Sequence, residues 1–258
     1  MLYDDQFLTR LADGVASLIP SWDIDPDARV ELLTISENAT FRVTDPAGRH
    51  VIVRVHRPDY HSEAEILSEL AWTEALRSDG VVKTPKVMAS RNGRLLQSFS
   101  DGETRRFAVA FDFMSGREPD AETDLVKWYG VLGGINARLH DHSRRWKRPE
   151  GFVRKLWDFE HIIGPSAWWG DWRAALGLTA DGSATLERTY LELERGTAAF
   201  GYGVIVSASF IATCGQRTCS SKGKGSASSI STIADFRGSP TTSPQPSASW
   251  STSLTFPN

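Results

Sequence analysis

Residues 40–56 read Thr40-Phe41-Arg42-Val43-Thr44-Asp45-Pro46-Ala47-Gly48-Arg49-His50-Val51-Ile52-Val53-Arg54-Val55-His56. Asp first, Pro second and Gly fourth in Asp45-Pro46-Ala47-Gly48 is a favourable type I turn pattern. The flanking runs, 40–43 and 50–56, suit strands, so the stretch predicts a β-hairpin. Strand alternation then places Val51, Val53 and Val55 on one face, and Ile52, Arg54 and His56 on the other.

Upstream, Ile35-Ser36-Glu37-Asn38-Ala39 is a short polar link between a strand-like run at 30–35 and the hairpin. Downstream, Ser62 followed three residues later by Glu65 fits a capping box and predicts a helix to about Leu76. Ile66, Leu70 and Thr73 form its apolar stripe, with Leu67 and Ala71 beside it. Glu69 borders that stripe and can point towards the hairpin. Residues 87–90 and 95–98 surround the turn Asn92-Gly93 and read as strands. Residues 107–114 form a strongly apolar strand ending in Ser115-Gly116-Arg117. These elements predict a small sheet with one helix laid across it.

Beyond residue 115 the pattern turns helical. Leu132, Ile135 and Leu139 follow helical spacing before a polar run from His140. Gly133 and Gly134 each cost ~1 kcal/mol against Ala in a helix, which implies close packing there. Trp157, Trp168, Trp169 and Trp172 mark an aromatic-rich segment, and residues 186–199 read as an amphipathic helix.

The chain has 258 residues and a formal net charge of −3. That balance argues against a partner that is nucleic acid or an anionic membrane. No apolar run is long enough to span a bilayer, and residues 1–10 lack a secretory pattern, so a cytoplasmic protein is expected. The composition, however, breaks at about residue 203. Residues 204–258 hold 14 Ser and 7 Thr, no Glu, and both cysteines, Cys214 and Cys219. Such a tail shows almost none of the apolar periodicity of a packed element.

The order Ser36-Glu37-Asn38-Ala39-Thr40-Phe41-Arg42-Val43, Val53-Arg54-Val55-His56-Arg57-Pro58, Glu65-Ile66-Leu67-Ser68-Glu69-Leu70-Ala71-Trp72, Phe111-Asp112-Phe113-Met114-Ser115-Gly116 and Leu132-Gly133-Gly134 through Leu139-His140 carries a resemblance. Over about residues 15–203 the chain resembles the aminoglycoside phosphotransferase and choline kinase superfamily. The nearest branch is the homoserine-kinase and stress-response kinase-like bacterial phosphotransferases. The resemblance implies an α+β, protein-kinase-like two-lobe fold. Residues 1–114 would form a small antiparallel-sheet N-lobe, 115–203 a helical and incomplete C-lobe, and 204–258 a separate tail. ATP and Mg2+ are the implied cofactors, and a small-molecule hydroxyl or a protein Ser/Thr the implied acceptor.

Within that resemblance, Arg54 stands where such kinases place the strand lysine that contacts nucleotide phosphates. Glu69 stands where a helix glutamate pairs with it. Arg for Lys is a departure, since guanidinium is larger and planar. The turn with Ser36, Asn38 and Thr40 would cover the phosphates, and the backbone at Phe113, Met114 and Ser115 would meet the adenine. The plainer readings are a surface arginine on a strand and one half of a solvated pair. His140-Asp141-His142 invites a metal reading, but i,i+2 residues do not share a helix face, so a polar helix end is expected. The tryptophans at 168–172 could line an acceptor pocket or simply pack.

The catalytic loop of this class, His-x-Asp-x-x-x-x-Asn, and its later metal-binding Asp are missing. None of the four asparagines has an Asp five positions earlier, and Asp235 stands in Ser-rich surroundings without a preceding loop. Codons that take the third base of one residue and the first two of the next change this picture. Across Phe210–Ser220 they can read His-Arg-Asp-Leu-Arg-Ala-Ala-Asn-Leu-Leu. Across Ser228–Ala234 they can read Ile-Asp-Phe-Asp-Asp-Cys. Both motifs fall in one constant frame, in order and at the family's spacing. The expectation is a tail translated out of frame, with the slip between Gly203 and Ser209. The chain as printed would then be inactive, with no Mg2+ ligands, and with apolar surface around Leu132, Leu139 and the tryptophans left uncovered. Two alternatives are a pseudokinase-like module binding nucleotide or a partner, and an interaction protein with a genuine Ser/Thr-rich tail.

Overall fold

Alternating valines make the centre of the sheet. In the computed structural model, which describes residues 4–116 and 125–200, β1 (Arg29–Ile35), β2 (Ala39–Thr44) and β3 (His50–Val55) form an antiparallel meander. The Asp45–Gly48 turn closes as expected: the Gly48 N–H donates to the Asp45 carbonyl at 3.0 Å, and Gly48 takes a positive φ of 85°. The tail from residue 204, with Cys214, Cys219 and both out-of-frame motifs, lies outside the described residues, as does Arg117.

The helix expected after Ser62 is α2 (Glu63–Ser78), since α1 (Asp5–Leu18) precedes the sheet. Ser62 Oγ accepts from the Glu65 N–H and the Glu65 carboxylate accepts from the Ser62 N–H, a complete capping box. Two short strands follow, β4 (Val87–Met88) and β5 (Gln97–Asp101), and then the long β6 (Thr104–Asp112). The strand order is β1-β2-β3-β6-β4, with β5 also on β6. The Asn92-Gly93 turn is present, its Gly93 N–H donating to the Ser90 carbonyl at 2.8 Å. Its flanking strands pair with β6 and not with each other. The tighter hairpin is β5–β6, turning at Gly102 with φ 63°.

The expected single helix on the sheet is corrected to two, one on each face. Leu11, Val15 and Leu18 of α1 join Phe41, Val43, Val51, Val53, Val55, Ala108 and Ala110 in one cluster. Ile66 and Leu70 of α2 join Val87, Leu96, Val109 and Phe111 in the other, with Ile52 against it. Gly14 lets α1 reach the sheet: a Cβ there would stand 2.1 Å from the Phe99 ring. Asp101 fixes the same contact from its rim, taking Arg10 Nε and Arg106 Nε at 2.8 Å each.

The remaining elements are α3 (Leu125–Arg145), a single turn α4 (Phe159–Ile162) and α5 (Ala180–Phe200). The polar run from His140 forms the end of α3, which closes at Arg145 with His142 and Ser143 buried. The close packing expected at Gly133 and Gly134 is also corrected. Nothing among the described residues lies within 4 Å of a Cβ built at either. No residue of α5 is buried.

Candidate functional site

Arg54 and Glu69 meet because two periodicities converge. Strand alternation turns Arg54 to the α2 face, and Glu69 lies on the side of α2 that covers that face. Arg54 Nη2 donates to Glu69 Oε1 at 2.8 Å, with side-chain exposures of 18% and 8%, so this is no solvated surface pair. Phe111 lies under the guanidinium, whose carbon stands 5.2 Å from the ring centroid. Burial alone would raise the Glu69 carboxyl, but Arg54 and then Arg154 outweigh it and hold it below its ordinary value. Among the described residues Arg54 Nε is buried without a hydrogen-bond partner.

The other residues singled out from the sequence divide around this pair. Thr40 is the cross-strand neighbour of Arg54 and so shares its face. Ser36 N–H donates to the Asn38 carbonyl at 3.1 Å, which closes the β1–β2 turn. Asn38 Oδ1 accepts from the Arg57 N–H at 3.3 Å, tying that turn to the end of β3. Ser36 itself is exposed. Phe113, Met114 and Ser115 follow β6 at the opposite end of β3. The Phe113 ring stands edge-on to His50, with centroids 5.3 Å apart. Arg54 pairs with Val109, four residues before Phe113, so about 13 Å of extended chain separates Arg54 from the start of this group.

Four residues near the pair carried no recognised signal in the sequence. His56 is 2% exposed and neither ring nitrogen has a hydrogen-bond partner among the described residues. Burial first, and the Arg54 charge second, press its pKa down to about 3. His61, half-buried, is also pushed down, chiefly by burial. Arg154 and Lys155 arrive from the stretch after α3 and approach Glu69 at 3.7 Å and Glu65 at 3.8 Å. The alternation of β3 was the available clue for His56. Nothing local could reveal Arg154.

His142 has a structural task. Trp72 Nε1 can only donate, and it does so to His142 Nδ1 at 3.0 Å. His142 Nε2 therefore carries the proton and faces Asp79 Oδ2 at 2.9 Å. This links the end of α2 to α3, while Asp141 stays exposed. Among the described residues no group of three or more His, Cys, Asp or Glu could hold a metal ion. No described helix is long and apolar enough to cross a membrane. The tryptophans pack on one another: Trp157 lies 5.6 Å from Trp168 and 5.3 Å from Trp169.

A sheet between two helices, with a cation on its central strand held by a helix carboxylate, is the arrangement of a kinase-like N-lobe. Residues 31–195 match the APH family, a phosphotransferase enzyme family, and the chain belongs to it. Among solved structures it is similar to a microcompartment-associated aminopropanol kinase, at 40% identity and a TM-score of 0.67, over 74% of this chain and 58% of that one. An amicoumacin kinase in complex with AMP-PNP, Ca2+ and Ami shares the fold at 18% identity and a TM-score of 0.55, over 78% of this chain and 56% of that one. The chain thus spans under two thirds of either kinase's length. A search of curated proteins finds no match.

Proposed function

We propose that the described residues retain the nucleotide-phosphate site of an ATP-dependent phosphotransferase whose catalytic loop is not encoded in the printed frame. The Arg54–Glu69 pair carries this reading. Phosphoryl transfer depends on positioning and charge neutralisation, and a buried carboxylate keeps a guanidinium fixed for a phosphate to approach. The Arg54 side chain keeps 18% of its surface exposed, the part a phosphate could reach. The Ser36–Thr40 turn would lie over the phosphates. The roughly 13 Å between Arg54 and Phe113 suits a nucleotide laid along the sheet, base at one end and phosphates at the other.

The family match ends at residue 195, ahead of the composition break, which fits a slip between Gly203 and Ser209. The acceptor class for the in-frame enzyme is a small-molecule hydroxyl. The 40% identity to an aminopropanol kinase makes an amino alcohol the first to test. Calorimetry with AMP-PNP tests the binding half of the reading: binding is expected, with Arg54→Met weakening it at least tenfold, about 1.4 kcal/mol. Absence of binding would sink the nucleotide site. Mg2+-dependent ATP turnover by the printed chain would sink the claim that it is inactive.

A further inference from the structure

After α3, residues 151–157 cross the outer side of α2. The Val153 N–H donates to Ser68 Oγ at 2.9 Å, and the Ser68 hydroxyl in turn donates to the Ala64 carbonyl at 2.7 Å. This hydroxyl relay sets the register of the crossing. Arg154 then places Nη1 3.7 Å from Glu69 Oε2 and 3.5 Å from the Glu65 carbonyl oxygen. Lys155 Nζ stands 3.8 Å from Glu65 Oε1 and near the rings of Tyr60 and Trp168, at 5.3 and 5.1 Å. Both cations are largely buried, with 17% and 21% of their side chains exposed.

Glu69 therefore lies between two guanidiniums, Arg54 on Oε1 and Arg154 on Oε2. One carboxylate cannot neutralise both guanidiniums, so the three groups together keep a net positive charge. A buried carboxylate facing Arg54 alone would have one unsatisfied oxygen, which favours its protonated form. We propose that Arg154 is a positioning residue for the phosphate site. It occupies the outer Glu69 oxygen, keeps Glu69 ionised and aimed at Arg54, and so makes phosphate binding depend on a segment that follows α3. This rests on the reading that Arg54 meets nucleotide phosphate. The bland competitor is that Arg154 merely pins residues 151–157 to α2.

The test is AMP-PNP binding across pH for the full chain, Arg154→Met, Arg154→Lys, Glu69→Gln and Glu69→Gln/Arg154→Met, with urea midpoints measured on the same proteins. Arg154→Met is expected to weaken binding about tenfold and to move the acid limb of binding to higher pH. Arg154→Lys should restore most of the affinity and remains the comparison if the Met variant does not fold. In the Glu69→Gln background, Arg154→Met should change binding less than about twofold. Equal losses in both backgrounds, or an unmoved acid limb, would overturn the proposal. If the parent chain binds no AMP-PNP, the phosphate reading fails separately. The urea midpoints then decide whether Arg154 acts on Glu69: non-additive losses support the coupling, and additive ones overturn it.

Discussion

At the scale of single residues, local periods showed that Arg54 lies opposite the valine face of β3 and that Glu69 borders the apolar stripe of α2, while their pairing was what the family resemblance implied. What could not be read was the second arginine. Val153 and Ser68 are 85 residues apart, and no local pattern announces that contact. His56 was legible as a face but not as a buried, unpartnered ring. Its folded pKa of about 3 lies below the ordinary 6.5, so the unfolded chain takes up the proton first. The stability attached to neutral His56 is complete above about pH 6.5 and declines as pH falls towards 3, by about 1.4 kcal/mol per unit for one site. His61 moves in the same direction. Urea midpoints between about pH 7.5 and 4.5 should fall for the parent chain and fall less steeply for His56→Leu. Equal slopes would show that His56 is not the group titrating.

Elements show a similar division. The first hairpin, the capped helix α2 and the apolar strand β6 follow from turn chemistry, a capping box and a continuous apolar run. Helix α1 was missed although Leu11, Val15 and Leu18 repeat at helical spacing and Asp4 caps it, accepting from the Phe7 N–H at 2.7 Å. Its importance comes from covering the valine face of the sheet, a tertiary fact. The glycines separate a crowded helix from an open one. Gly14→Ala drives a methyl into the Phe99 ring and should destabilise by about 1–3 kcal/mol, against which the helix regains ~1 kcal/mol. Gly133→Ala and Gly134→Ala meet nothing among the described residues and should stabilise by up to ~1 kcal/mol each, raising the melting temperature. Thermal melts of the three variants check both directions. A destabilising Gly133→Ala would mean that this face of α3 is covered.

Over the whole molecule, the sheet end is packed and the helical end is not. Val126, Tyr129 and Phe200 are 83, 69 and 74% exposed, and Leu186, Leu191 and Leu193 of α5 also face solvent. Apolar surface of this extent drives association. The purified chain should sediment as concentration-dependent oligomers, whereas a monomer with a cooperative melt would contradict that. A small antiparallel sheet with a helix on it was legible from local signatures, and the kinase-like class from the family resemblance. The fate of the C-terminal part was not, since 14 Ser and 7 Thr in 55 residues describe a composition and no packing. The proposed account is a phosphotransferase with its phosphate-binding pair in place and its catalytic loop out of frame. The most direct test is the coding DNA across residues 201–253. The account predicts one shifted frame, opening between Gly203 and Ser209, that encodes His-Arg-Asp-Leu-Arg-Ala-Ala-Asn and then Ile-Asp-Phe-Asp. A coding sequence in which no shifted frame contains both motifs would contradict it.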